Sequence, residues 1–137
     1  MNICAFVSVL ALSFSLPEGL LVQEGTASYY GTKFHGRKTS SGEIFDKTKL
    51  TAAHATLPFN TRVEITNLRN NKTVVVRIND RMHARNSKII DISKAAAIEL
   101  DMVREGIGKV IIRELPPEPQ FIPLPADTVI AASENRG

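Results

Sequence analysis

The most regular alternation of polar and apolar positions runs from Thr61 to Leu68, and it predicts a strand with Val63, Ile65 and Asn67 on one face. Arg69-Asn70-Asn71-Lys72 then reads as a hairpin turn, because Asn tolerates the left-handed conformation that such turns need. The returning strand, Thr73 to Ile78, places Val74, Val76 and Ile78 on one side and Thr73, Val75 and Arg77 on the other. Its end delivers three polar residues, Asn79-Asp80-Arg81. Upstream, Gly25 to Tyr30 is rich in small and aromatic residues and predicts a strand that Gly31 stops; the adjacent Tyr29 and Tyr30 face opposite ways on it. Downstream, Lys88 to Ile92 predicts a short strand, and Ser93 caps a helix through about Leu100 that contains Ala95, Ala96 and Ala97. Ala96, Ile98 and Leu100 do not share one helical face, so this helix is expected to be packed on more than one side. Gly106-Ile107-Gly108 breaks the pattern before a last strand, Lys109 to Leu115. Short strands with one short helix predict a mainly β domain, a small closed barrel in which closure removes exposed sheet edges.

Composition bounds this picture. A chain of 137 residues, 43% apolar and 23% charged, suffices for one compact domain and excludes a multidomain machine. The net charge of +3 is no argument for nucleic acid, but residues 25–115 hold 16 basic and 9 acidic side chains, so the middle is a basic domain between two short flanks. No apolar run reaches the ~20 residues of a membrane-spanning helix. Ile3 to Leu16 instead has the length of a signal-peptide core, and Ser13-Phe14-Ser15 offers a small-x-small cleavage site, so residues 1–24 are expected to be a leader and the protein to be exported. The single cysteine, Cys4, lies at the start of that run, which excludes an internal disulfide framework and a thiolate metal cluster. From Pro116 the composition changes: five prolines fall within residues 116–125, and residues 116–137 are expected to form an extended tail.

The candidate chemistry is carried by carboxylates and imidazoles. Residues 31–43 form a long loop with Gly31, Gly36 and Gly42 and the side chains Lys33, His35, Arg37 and Lys38, and a loop of this length in a small domain is the first place to look for a site. Glu43 and Asp46 follow it, and either reads equally as a solvated charge or turn acceptor. Asp80 at a strand end is a sharper candidate, though Asp also forms turns there. Asp91, between Ile90 and Ile92, reads first as a structural hydrogen-bonding residue. His35, His54 and His83 lack the spacing of a zinc motif, so no metal is expected. His54, among small residues, is either a half-buried structural histidine or a hydrogen-bonding site group. Gly-x-Ser-x-Gly, a P-loop and Gly-x-Gly-x-x-Gly are all absent, which argues against a serine hydrolase and against nucleotide chemistry; no cofactor is expected.

Taken together, Gly25-Thr26-Ala27-Ser28-Tyr29-Tyr30-Gly31, Phe34-His35-Gly36-Arg37-Lys38-Thr39-Ser40-Ser41-Gly42-Glu43-Ile44-Phe45-Asp46, Thr51-Ala52-Ala53-His54 with Leu57-Pro58, Val76-Arg77-Ile78-Asn79-Asp80-Arg81, and Ile89-Ile90-Asp91-Ile92-Ser93-Lys94-Ala95-Ala96 resemble the rare lipoprotein A (RlpA-like) family over about residues 25–115. The resemblance implies a six-stranded double-psi β-barrel with one or two short helices, the fold of expansins and a class of cellulases. It implies a bacterial periplasmic or cell-envelope enzyme acting on peptidoglycan glycan strands, a lytic transglycosylase that cleaves between N-acetylmuramic acid and N-acetylglucosamine and leaves 1,6-anhydro ends. By motif position it assigns catalytic roles to Glu43, Asp46, His54 and Asp80. On this reading Asp80 is the acid and base, Glu43 or Asp46 raises its pKa or stabilises charge on the sugar, and His54 orients a carboxylate or binds sugar. Tyr30, His35, Arg37, Ser41 and Arg81 are the expected substrate contacts, with the basic side chains meeting muramyl or stem-peptide carboxylates. The chain departs from the family's usual Gly-Pro after Asn-Asp-Arg by carrying Met82-His83, and Cys4 lacks the preceding leader that a lipid anchor requires. Envelope or division proteins are conceivable partners. The rival reading is a noncatalytic, expansin-like glycan-binding or wall-loosening module; a third is a secreted interaction protein with the Pro-rich segment as its docking element.

Overall fold

The computed structural model describes residues 19–119 and Pro123. The leader expected before residue 25 and the tail expected after residue 115 lie largely outside the described residues. Six strands, β1 (Val22–Tyr29), β2 (Thr51–Ala53), β3 (Arg62–Asn67), β4 (Thr73–Asp80), β5 (Ile90–Ile92) and β6 (Ile107–Glu114), close a barrel in the order β1-β5-β2-β4-β3-β6. A 3-10 turn at Thr32–Phe34 and one helix, α1 (Lys94–Glu99), complete the fold. Among the six pairings, β1 with β5 and β2 with β4 are parallel, and the other four are antiparallel. A parallel pair requires a crossover between its strands. Residues 30–50, between β1 and β2, form the longest connection among the described strands.

The β3–β4 hairpin follows the alternation. Val63, Ile65, Val74, Val76 and Ile78 point into the barrel, where Ile90, Ile92, Val110 and Ile112 meet them. Each such side chain contributes about 1.5–3 kcal/mol when fully buried. Asn67 shares that inward face and is buried at 1% exposure. Its Nδ2 donates to the Leu100 carbonyl at 2.8 Å and its Oδ1 accepts from the Arg69 amide at 3.1 Å, which satisfies the side chain and ties the hairpin turn to the end of α1. Asn71 takes the left-handed conformation expected of that turn (φ 60°).

Four features differ from the sequence expectation. β1 begins at Val22 rather than Gly25, because Val22, Gln23 and Glu24 pair with Arg113, Ile112 and Ile111 of β6. β6 in turn starts at Ile107: Gly106 makes the turn (φ 75°), and Gly108 stays in the ladder opposite Ala27. β2 is a strand that alternation does not reveal, since all three of its residues are buried and two are alanines of low strand propensity. The helix is capped by Ser93, whose Oγ accepts from the Ala96 amide at 3.3 Å, but it packs on one side only: Ala96, Ala97 and the following Leu100 are buried while Ile98 is 60% exposed. Gly25 is required by close packing, because a Cβ there would lie 2.6 Å from Ile89 Cγ2.

Candidate active site

The strand order places Ala53 at the centre of a row across the sheet. In β2 it pairs with Asp91 of β5 on one side and with Asp80 of β4 on the other. At about 4.8 Å per strand, the two aspartate backbones stand roughly 10 Å apart, separated by a side chain no larger than a methyl group. Ile90 and Ile92 point into the barrel, so Asp91 between them points out; Asp80 lies two residues after inward Ile78, and the register shift between Ala52 and Ala53, which skips Asn79, lets it face the same side. Both line one cleft of about 360 Å³.

The long loop supplies the opposite wall through Phe34, Arg37, Lys38, Thr39 and Phe45. Tyr30, just past the end of β1, joins wall to floor. Its ring stacks on Phe45 (centroids 4.4 Å apart, planes at 19°) and meets the edge of Phe34 (5.8 Å, 89°). Its hydroxyl donates to Asp80 Oδ2 at 2.6 Å. The amides of Ser40 and Arg81 donate to Asp80 Oδ1 at 2.9 and 2.8 Å, so one carboxylate receives three donors. Tyr29 turns the other way, packs against the core and donates to the Val103 carbonyl at 3.0 Å, as the opposed directions of adjacent strand residues require.

The two aspartates are held in opposite states. Burial pushes Asp80 up, but the hydrogen bonds from Tyr30, Ser40 and Arg81 outweigh it and hold the carboxyl below its ordinary value. Burial also pushes Asp91 up; its one side-chain donor, Ser28 Oγ at 3.2 Å, offsets this only in part, the negative charge of Asp80 adds to it, and the carboxyl is raised to about 6. Burial, then the hydrogen bond to Asp80 and its charge, raise the Tyr30 phenol, so this residue remains a donor.

The remaining expected site residues fall into two groups. Tyr30, Arg37, Arg81 and Asp80 line the cleft. Arg37 stands over the Phe34 ring at 5.5 Å. The Arg81 guanidinium is engaged from behind, donating to the carbonyls of His54 (3.2 Å) and Leu57 and lying 4.2 Å from the Phe59 ring centroid. Glu43, Asp46, His54, His35 and Ser41 do not line the cleft. Glu43 makes a two-pronged ion pair with Arg77 of β4, both contacts at 2.6 Å, and that pairing holds its carboxyl below the ordinary value. Asp46 accepts from the Thr48 hydroxyl and amide, which lower it likewise. Neither is among the groups that shift Asp80, which are its own burial and its hydrogen-bond donors. His54 is 3% exposed; its Nδ1 accepts from the amides of Thr56 and Leu57, each at 3.1 Å, so Nε2 carries the proton, 3.3 Å from Gln23 Oε1. Burial and the nearby Arg81 charge keep this imidazole below its ordinary pKa. His35 Nδ1 accepts from the Lys47 amide, and Ser41 Oγ accepts from the Glu43 amide, so both organise the loop. The site residue that sequence reasoning set aside is Asp91, whose only local signal was a carboxylate between two core isoleucines. Among the described residues, no group of three or more His, Cys, Asp or Glu side chains is arranged to hold a metal ion.

Comparison with known proteins follows the same residues. The family described as lytic transglycolase matches residues 22–112. The chain belongs to this family. Among its relatives, the probable endolytic peptidoglycan transglycosylase RlpA of Treponema pallidum is 55% identical over 98 residues, covering 72% of this chain and 31% of that protein. The endolytic peptidoglycan transglycosylase RlpA of Campylobacter jejuni is 53% identical over 87 residues, 64% of this chain and 32% of that protein. The chain thus spans about a third of the length of these curated relatives. Among solved structures, a Clavibacter michiganensis expansin superposes with a TM-score of 0.58 at 17% identity, over 73% of this chain and 52% of the expansin. The Streptomyces papain inhibitor superposes at 0.56 and 20% identity, over 70% and 96% of the two chains. These neighbours share the family's fold, and the double-psi barrel expected from the sequence is the one observed.

Proposed function

We propose that the barrel, residues 22–115, is a peptidoglycan lytic transglycosylase of the cell envelope in which Asp91 is the acid and base and Asp80 is a fixed anion. The observation that carries the reading is one cleft with two carboxyl groups held on opposite sides of their ordinary pKa. Such a division between neighbouring carboxyls separates a proton donor from a charge stabiliser. Membership of the family and the transglycosylase activity for which its relatives are named support the same chemistry.

The reaction needs one proton carrier and no water. Protonated Asp91 donates to the glycosidic oxygen, and the bond from the muramyl anomeric carbon to that oxygen breaks as positive charge develops on the muramyl ring. Asp80, kept ionised by Tyr30, Ser40 and Arg81, faces that charge. The muramyl C6 hydroxyl then attacks its own anomeric carbon and passes its proton to the Asp91 carboxylate, which regenerates the acid. Intramolecular attack supplies the proximity advantage that a hydrolase obtains by positioning water. A carboxyl raised to about 6 retains protonated molecules near neutrality and still accepts a proton in the second step. Arg37 and Lys38 give the rim a positive charge that suits a muramyl strand.

The test is mass spectrometry of soluble products after the protein is incubated with peptidoglycan sacculi. Fragments with 1,6-anhydro ends from the native protein, and none from Asp91→Asn, are expected. Fragments with reducing ends indicate a hydrolase. Absence of any fragment from folded protein that still pellets with sacculi indicates the noncatalytic glycan-binding module.

A further inference from the structure

Beside the aspartate cleft lies a second hollow of about 260 Å³, lined by Leu21, Gln23, His54, Asn86, Lys88 and Ile89 among others. Three chain segments lead from one to the other. Ala53 lines the cleft and His54-Ala55 the hollow; Arg81-Met82 line the cleft and His83-Ala84 the hollow; Asp91 lines the cleft and Lys88-Ile89 the hollow. Extended chain advances about 3.3 Å per residue, so the two recesses are neighbours along one surface. The dividing wall is the Met82-His83 segment, where the chain departs from the Gly-Pro pattern of the family it resembles.

The hollow has a one-sided polarity. Its amide and imidazole acceptor atoms are occupied by protein donors: Gln23 Oε1 faces His54 Nε2 at 3.3 Å, His54 Nδ1 takes the Thr56 and Leu57 amides, His83 Nδ1 takes the Arg85 amide at 3.1 Å and Asn86 Oδ1 takes the Lys88 amide at 3.0 Å, while the Thr56 hydroxyl, which can donate or accept, also lines the hollow. The ends that remain, the amide nitrogens of Gln23 and Asn86 and His83 Nε2, are donors, as is the Lys88 ammonium, one of whose three N–H groups goes to Ser87 Oγ at 3.1 Å. No Asp or Glu lines the hollow. Leu21, Ala55 and Ile89 supply an apolar floor. A recess with an excess of donors, a cation and no carboxylate of its own selects an anionic acceptor, and a carboxylate matches it.

We propose that this hollow is a carboxylate-reading subsite of the glycan cleft, in which Lys88, Asn86 and Gln23 hold an acidic substituent of a sugar flanking the scissile bond. The inference rests on the lytic-transglycosylase reading for its substrate. Two sources supply the same group: the lactyl carboxylate of muramic acid stripped of its peptide, and the free carboxylates of an attached stem peptide.

The experiment measures binding by sedimentation with sacculi, using the full chain carrying Asp91→Asn so that the glycan stays uncut, with and without Lys88→Gln and Asn86→Ala. Three preparations are compared: intact sacculi, amidase-stripped sacculi, and sacculi whose carboxyls have been converted to methylamides. The two substitutions are expected to weaken binding about tenfold on unmodified glycan and to have no effect on the methylamide form. A loss confined to stripped glycan assigns the lactyl group, a loss confined to intact glycan assigns the stem peptide, and a loss on both shows that either serves. Equal binding of parent and variant on both unmodified forms, or an equal loss on the methylamide form, overturns the proposal. Thermal unfolding checks that the variant is folded. Native protein incubated with the same sacculi reports anhydro products separately, so failure of the lyase reading and failure of the subsite are read independently.

Discussion

Four carboxylates stand in the motifs that carry the family resemblance, and they divide by the element that carries them. Asp80 and Asp91 flank Ala53 in one row across the sheet, on strands whose inward neighbours are buried, and they share one cleft. Glu43 and Asp46 sit on the long loop, and each is already satisfied, by Arg77 and by Thr48. Only the strand pair contains a carboxyl that is raised, because only there does desolvation act on a group with a single side-chain donor and a second negative charge nearby. Residue type and local spacing make all four look alike. What separates proton donor from loop anchor is the number of donors each oxygen receives and the dielectric around it.

The comparison breaks first at Asp91. Asp91→Asn removes the transferable proton and is expected to lower the rate of anhydro-end formation about 1,000-fold, measured by quantitative mass spectrometry of released fragments, with circular dichroism unchanged. Tyr30→Phe leaves Asp91 in place but takes the shortest of the hydrogen bonds from Asp80; kcat is expected to fall roughly 10–100-fold with a smaller change in KM, since a charge-stabilising group loses its alignment rather than its identity. The stability consequence of Asp91 has the opposite sign. Its folded-state pKa, about 6, lies above its ordinary value of 3.8, so its contribution to stability is fully present below the ordinary value and is lost as pH rises through about 6. Asn carries no charge to desolvate. Thermal unfolding is therefore expected to show Asp91→Asn more stable than the native protein at pH 8, by about 1–2 kcal/mol after allowing for its partial solvent exposure, and no more stable at pH 4. The loop pair gives smaller effects. Glu43→Gln loosens the tie between loop and β4 that carries the Ser40 amide to Asp80, and about a fivefold loss in kcat/KM is expected; Asp46→Asn should change steady-state rates by no more than about twofold.

Much of the frame is legible in the sequence, for reasons that vary by element. The β3–β4 hairpin is legible because one face is buried and the other is not: Val63 and Ile65 alternate with polar residues, and Val74 and Val76 are flanked by Thr73 and Arg77 with only the exposed Val75 breaking the alternation. Ser93 and the alanines after it announce the helix by capping and propensity. β2 is not legible: Thr51-Ala52-Ala53 is buried throughout and lacks both alternation and β-branched bulk, although its register sets the spacing of the two aspartates. The site is legible as a set of motifs and not as a set of roles. Asp80 and Tyr30 belong to the expected group and meet through a 2.6 Å hydrogen bond, whereas Glu43 and Asp46, expected to act on Asp80, pair with Arg77 and Thr48. Asp91 was set aside because a carboxylate between two core isoleucines resembles a structural hydrogen bonder. Burial and the nearness of Asp80, both products of strand order, distinguish it. His54 was open between two roles, and its two backbone amides on Nδ1 place it as the support of the 54–57 turn.

The central claim is that Asp91, not Asp80, carries the proton. It is tested most directly by initial rates of 1,6-anhydro-muramyl end formation from sacculi at pH 5 and pH 8, for the native protein and for Asp91→Asn. The account predicts that the native kcat/KM falls between these pH values as a group of pKa about 6 loses its proton, and that Asp91→Asn is inactive at both. Anhydro ends formed by Asp91→Asn at the native rate would contradict it, as would a native rate that does not change from pH 5 to pH 8.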